Sequence, residues 1–233
     1  MTELSRRVIL GAAPGLVLCG GAALADRPSE ALTALAADLD REAGGLAHDP
    51  QGALGRVQAR LQAAARMGAF DAWRGRPVAE THKIAVLGGG GLVRSWKVQL
   101  FFIPDGHSHP PHCHENLASC MVVADGRIRL REFERLRDRE TPDAARLRRV
   151  FEGELARGDG MVTAEDYRNA HWFGAVGGSA LAVNFKASGH ARRELLRLTN
   201  RRYLDASAGG EGEFQAPFIS RAEAHARFAA RPL

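Results

Sequence analysis

Apolar positions recur at helical spacing in the early chain and at strand spacing beyond it. Residues 28–43 place Leu32, Leu35, Leu39 and Ala43 along one face, with Pro28 and Ser29 near the start and Gly44-Gly45 as a stop. That pattern predicts an amphipathic helix. Asp49-Pro50 opens a second one, in which Leu54, Val57 and Leu61 form the apolar stripe and Gly68 ends it. From about residue 82 the period drops to two. LVRSWKVQLFFIP carries Trp96, Val98, Leu100 and Phe102 on one face and Lys97 and Gln99 on the other.

The strand pattern then continues with regular punctuation. ASCMVVADGRIRLREFERL is expected to be two strands joined as a hairpin at Asp125-Gly126. RRVFEGELARGDG reads as a strand and turn, HWFGAV and ALAVNFKA as a pair around Gly177-Gly178, and RRELLRL as the last strand. Residues 137–147, DRETPDAARLR, form a polar surface insertion, and Ser220 to Glu223 is a capping box for a final short helix ending near Ala230. Short strands with frequent turns imply an all-β barrel or sandwich. The two leading helices serve as a cover for one side of it, a homodimer contact being the alternative. A length of 233 residues fits one domain with additions.

The composition, 45% hydrophobic and 25% charged, is that of a globular protein. A net charge of +5, with Lys and Arg scattered among Asp and Glu, argues against a nucleic-acid surface. The first residues change the picture more. LSRRVILGAAPGLVLCGGAALA places paired Arg6 and Arg7 ahead of an apolar stretch and then Ala23-Leu24-Ala25, the order of a secretory signal. The SRRVIL core resembles the twin-arginine leader, which implies the twin-arginine export machinery as partner and a periplasmic or secreted product. An uncleaved leader would tether the protein to the membrane. Past residue 25 only Cys113 and Cys120 remain, too few for a disulfide framework, and strand parity argues against a bridge between them.

The chemistry concentrates in GHSHPPHCHENLASC, which holds His107, His109, His112 and His114, four of the nine histidines. His112 and His114 are two apart, so on a strand their imidazoles project to one side. A third ligand for a metal must come from elsewhere, and His171 in RNAHWF is the best candidate. His107 and His109 are expected to be solvated loop residues. Ser119, Cys120, Trp172, Arg94 and Arg129 are candidates for the lining of a pocket, and Arg94, Arg129, Arg131 or Lys186 for the anchor of a substrate carboxylate, with a solvated outer face as the plain alternative for each. No nucleophile motif surrounds any serine, so hydrolase chemistry has little support.

Two stretches carry a resemblance. Gly106-x5-His112-x-His114-x4-Ser119-x6-Gly126 and Gly160-x5-Asp166-x-Arg168-x2-His171-x3-Ala175 match the spacing of the two motifs of the cupin superfamily, over roughly residues 80 to 200. The resemblance implies a single cupin β-barrel, a double-stranded β-helix or jelly roll, with short N- and C-terminal helices. It divides the chain into a signal peptide (1–25), a helical N-terminal extension (26–78), the barrel (79–200) and a C-terminal extension with a short helix (201–233). The chain departs from the family pattern in having Asp166, Arg168 and Ala175 where Pro, Gly and Asn are usual, and Ser119 where a Glu ligand is usual.

Lacking that Glu, the site resembles the three-His centre of the thiol dioxygenases. The resemblance implies a divalent metal on His112, His114 and His171, with Fe(II) favoured over Zn, Mn, Ni or Cu. The expected function is a non-haem dioxygenase acting with dioxygen on a small molecule, a thiol among the candidates. The alternative is a periplasmic cupin that binds metal or ligand without turnover, in which His107 and His109 would take an additional ion.

Overall fold

A computed structural model describes residues 30–74, 83–91, 94–188, 201–210, 212–231 and 233, with the side chains of residues 75–95 left aside. The leader and the segment RRELLRL lie outside the described residues. Among the described residues, no helix is long and apolar enough to cross a membrane.

The two leading helices form where the apolar stripes place them. α1 spans Glu30–Gly45 and buries Leu32, Leu35, Leu39 and Ala43. α2 spans Pro50–Arg66, and the Asp49 carboxylate caps it by accepting from the Gly52 N–H at 2.9 Å. Among the described residues eleven strands follow: β1 (Lys83–Gly91), β2 (Arg94–Ile103), β3 (Ser108–His114), β4 (Leu117–Asp125), β5 (Arg127–Arg135), β6 (Ala144–Ala156), β7 (Gly160–Thr163), β8 (Ala170–Ala175), β9 (Ala180–Ser188), β10 (Arg201–Leu204) and β11 (Glu213–Ile219). α3 (Arg221–Ala224) closes the chain with a wider turn after it, and Ser220 Oγ accepts from the Glu223 N–H as the capping box predicts.

The strands form two sheets. The first has the order β1-β2-β9-β4-β7, and the second, β10-β11-β6-β5-β8-β3, closes on itself because β3 also bonds to β10. The expected hairpins at Asp125-Gly126 and Gly177-Gly178 are therefore not hairpins. β4 and β9 pair with each other in the first sheet, while β5 and β8 pair in the second. Each Gly turn hands the chain from one sheet to the other. A tight turn reads the same in sequence whether the following strand folds back beside its predecessor or crosses over it.

Gly126 shows how tight that crossing is. It has φ +71°, and a Cβ there would lie 2.4 Å from the Ser179 carbonyl oxygen. Gly126→Ala is expected to destabilise the protein by about 1–3 kcal/mol, because it meets backbone and a left-handed φ at once. An unchanged urea midpoint would show that the two corners can move apart.

The two faces of the first sheet are both covered. Trp96, Val98 and Leu100 on β2, Cys120 and Val122 on β4, and Val183 and Phe185 on β9 pack against α1 and α2 in one core. The Trp96 indole N–H donates to the Asp40 carboxylate on α1 at 2.6 Å, which fixes the helix to the sheet. The opposite face looks into the barrel. At one end it meets β5 and β8 in a second core of Ile103, Met121, Val123, Ile128, Leu130 and Phe173. At the other end the interior positions are Gln99, Ser119, Asn184 and Lys186, so the barrel grades from apolar to polar along its axis.

Residues 201–233 contribute more than the short helix expected of them. β11 pairs with β6 and β10 with β3, so both edges of the second sheet are capped, which removes exposed strand edges. Their inner faces enclose a third core of Cys113, Phe133, Leu147, Trp172, Leu204 and Phe228. The polar insertion 137–147 is shorter than expected for the same reason. Ala145 and Leu147 belong to β6 and are fully buried under β11.

Candidate metal centre

β3 and β8 lie side by side, with His112 opposite His171 in register. His114 follows His112 on the same face, and the three ligand nitrogens lie within 4.8 Å of one another. Ring centroids are 4.4 Å apart for His112 and His171, 4.7 Å for His112 and His114, and 5.2 Å for His114 and His171. All three side chains are buried. Residues separated by 59 positions thus meet as the spacing of the two motifs implied.

The hydrogen bonds set the chemistry of these rings. His112 Nδ1 lies 2.8 Å from the Pro110 carbonyl oxygen, which can only accept, so Nδ1 carries the proton and Nε2 keeps a lone pair. That lone pair faces His171 Nε2 at 3.0 Å. Asn169 positions His114 through the backbone: its Oδ1 accepts the His114 N–H at 3.0 Å while its Nδ2 donates to the Ala164 and Glu165 carbonyls. Burial is the main reason all three imidazoles are held neutral. His112 and His114 lie well below the ordinary histidine range, and His171 falls to about 3, with Arg201 and Lys186 adding to the depression.

Three neutral, converging imidazoles with no carboxylate among them suit a divalent cation as the shared partner. Ser119, in the position where a carboxylate ligand is usual, faces inward and donates its hydroxyl to Asn184 Oδ1 at 2.8 Å. Glu132 lies opposite His171 on β5, but its carboxylate goes to Arg168 at 3.0 Å. Arg168 occupies a left-handed backbone position, φ +44°, where the family pattern has glycine.

The remaining pocket candidates divide. Cys120 points outward into the core beneath the helices, and burial raises its thiol pKa. Cys113 lies in the third core with its thiol pushed up to about 11; both thiols are free, kept apart by lying in separate cores on different sheets and not by the strand parity, which would have turned Cys120 to the side of the histidines. Trp172 follows His171, so its side chain lies on the opposite face of β8. There its indole N–H donates to Ser108 Oγ at 3.1 Å and its ring packs on Phe228. Arg129 and Arg131 are outer-face residues paired with Glu154 and Glu152. Arg94 begins β2, and its side chain is outside the described residues.

Two residues belong inside against expectation. Lys186 faces the barrel with its ammonium 5.4 Å from the Phe101 ring centroid. His109 is buried, its ring 4.7 Å from that of His112. In a regular strand His109 and His112 would point to opposite faces, but the β3–β8 register shifts between them, at Pro110-Pro111. Prolines have no N–H to give to a ladder, and consecutive ones are the signal in the sequence that a bulge can sit there. His107 alone remains exposed, its Nδ1 donating to the Asp105 carbonyl.

Above the cluster is a cavity of about 940 Å³ lined by residues of both sheets, among them Gln99, Phe101, His109, His114, Lys186, Arg201 and Tyr203. Two facing sheets, with the paired histidines inside one end, decide the architecture. The fold is a cupin barrel.

No family model and no curated protein matches the chain. Similar solved structures include an uncharacterized protein with a double-stranded β-helix domain from Klebsiella pneumoniae, at TM-score 0.37 and 14% identity over 51% of this chain and 81% of that one. A recombinant oxalate oxidase solved with glycolate is similar at TM-score 0.31 and 21% identity, over 42% of this chain and 43% of that one. Procruciferin, an 11S globulin from Brassica napus, is similar at TM-score 0.33 and 13% identity, over 48% of this chain; the match spans only 26% of the globulin's length. At these values the likenesses say nothing of activity.

Proposed function

We propose that this cupin is an exported non-haem Fe(II) dioxygenase that acts on a small molecule, a thiol among the candidates, with His112, His114 and His171 as its metal ligands. The observation that carries the reading is the convergence of three neutral imidazoles, without a carboxylate, one of which, His114, lines a cavity large enough for a small molecule. Bound Fe(II) would supply one-electron redox chemistry toward dioxygen with its positive charge undiminished by the ligands. The protein's own part is to hold the three lone pairs in place. The Pro110 carbonyl fixes the His112 tautomer, and Asn169 anchors the backbone at His114. The apolar end of the barrel closes the floor against water.

Export by the twin-arginine route is proposed on the leader sequence alone, and a route that carries folded proteins suits a ligand set assembled only by folding. Storage of extra metal by His107 and His109 finds less support, since one is exposed and the other is turned inward toward Arg201. The test is metal analysis of the purified protein followed by oxygen consumption after anaerobic Fe(II) loading, with cysteine, cysteamine and 3-mercaptopropionate as substrates. One iron per chain and substrate-dependent oxygen uptake are expected. Protein that takes up iron yet stays inert with every substrate would favour binding without turnover, and protein that takes up none would overturn the metal centre itself.

A further inference from the structure

Two buried polar atoms beside the histidine cluster have no hydrogen-bond partner among the described residues: His171 Nδ1 and Glu132 Oε1. They belong to neighbours. β8 runs between β3 and β5, so His171 has His112 opposite it on one side and Glu132 opposite it on the other. Directly opposite residues of an antiparallel pair share one face of the sheet, with Cβ atoms about 4.5–5.5 Å apart. Glu132 is 2% exposed and His171 3%, so each depends on the protein for a partner.

The ring proton explains why the two do not serve each other here. His112 Nε2 carries a lone pair, because its Nδ1–H is given to the Pro110 carbonyl. The 3.0 Å contact between the two Nε2 atoms therefore places the His171 proton on Nε2 and leaves Nδ1 a bare acceptor. Glu132 Oε1 is an acceptor as well. Once both Nε2 lone pairs are given to a divalent cation, that proton has to sit on Nδ1, and the mismatch becomes a match.

We propose that Glu132 is a positioning residue of the metal centre, its Oε1 accepting the Nδ1 proton of His171 when Nε2 is bound to a divalent cation. The inference rests on the proposed metal centre and adds a carboxylate that orients a ligand from behind without joining the three nitrogens. Arg168 supports the arrangement. Its guanidinium donates to Glu132 Oε2 at 3.0 Å, which compensates the buried charge and leaves Oε1 for the ring. The departure from the family pattern at position 168 thereby gains a reason, since glycine would suit φ +44° better but could not supply the cation. A carboxylate on the far nitrogen fixes the tautomer of a ligating histidine, sets the plane of its ring and raises its basicity.

Glu132→Gln separates this role from packing. Arg168 holds the amide oxygen, so the NH2 group turns to the ring, where it suits a bare Nδ1 and opposes a protonated one. Without metal the variant is expected to match the parent in urea midpoint, while its Zn(II) affinity falls roughly ten- to a hundredfold. NMR of the full chain with isotope-labelled histidine reads the ring tautomers with and without Zn(II). In the parent the His171 proton should move from Nε2 to Nδ1 on adding Zn(II), and its resonance should lie downfield and exchange slowly. In the variant that resonance should move upfield, with the His112 Nδ1–H unchanged as the internal control. Equal Zn(II) affinity in parent and variant, or a loss that shifts all three rings alike, would overturn the role of Glu132 and leave the centre standing. So would a parent His171 whose Nδ1–H exchanges freely with water, a measurement that needs no variant to fold. A parent that takes up no Zn(II) would overturn the centre and this role together.

Discussion

His171→Ala is expected to lower divalent-metal affinity by on the order of a thousandfold, and with it any rise in melting temperature that Fe(II) or Zn(II) produces in the parent protein. The size follows from sharing the binding energy of a small imidazole site among three ligands. Without metal the same substitution should cost comparatively little. It removes a buried ring whose Nδ1 has no partner, so part of the cavity penalty is offset by relief of an unsatisfied polar group. That separation is what marks a ligand off from a packing residue. Cys120→Ser and Trp172→Phe, which change the cores on the other faces of their strands, should leave metal affinity where it was. Equilibrium dialysis with metal analysis is the measurement. Parent-like affinity in His171→Ala would remove β8 from the site and with it the shared centre.

Acid should unfold the protein steeply. His109, His112, His114 and His171 are held neutral chiefly by burial. The unfolded chain takes up protons near the ordinary histidine pKa of about 6.5, and the folded chain only far below it, so the unfolded state binds more protons as pH falls. The contribution is complete above about pH 6.5 and is lost progressively toward the folded values, about 3 in the case of His171. Each such histidine steepens the fall by up to about 1.4 kcal/mol per pH unit. Four together are enough to exhaust a typical stability of about 5–15 kcal/mol within roughly two to three units. Bound metal should displace the transition to lower pH, because protons and metal compete for the same nitrogens. Urea unfolding at pH 7, 6 and 5, with and without Zn(II), reads both effects. Stability that stays level across that range would mean that the rings reach solvent and titrate normally.

The outline of this molecule was legible where one physical rule acted alone. Leu32, Leu35 and Leu39 lie at helical spacing and pack as a stripe. His112 and His114 share a face because strands alternate, and His171 joins them. Legibility failed where two rules competed or where the partner was remote. Alternation would have turned His109 outward; Pro110 and Pro111 interrupt it and turn the ring in. Lys186 looks like a surface charge because hydrophilic residues usually face water. Here α1 and α2 cover the sheet's outer side, and the polar face becomes the wall of the cavity. Arg201 has no motif around it, and only the pairing of β10 with β3 brings it to the histidines. The cross-sheet turns at Gly126 and Gly177-Gly178 were readable as turns but not in their partners, since pairing is settled by the whole set of strands.

Those corners also govern the order of events as the chain matures. Because most turns of the double winding send the next strand to the opposite wall, few neighbours in sequence become neighbours in space; among the described strands β1-β2, β5-β6 and β10-β11 do. Such topologies reach their native state slowly. β3 acquires β8 from far downstream, so the nitrogens converge only once that long-range pair has formed. Under the proposed function, metal capture would therefore report on the docking of β8 against β3. A chain in which that pair has not formed presents scattered imidazoles, and the three nitrogens come together as β8 docks on β3.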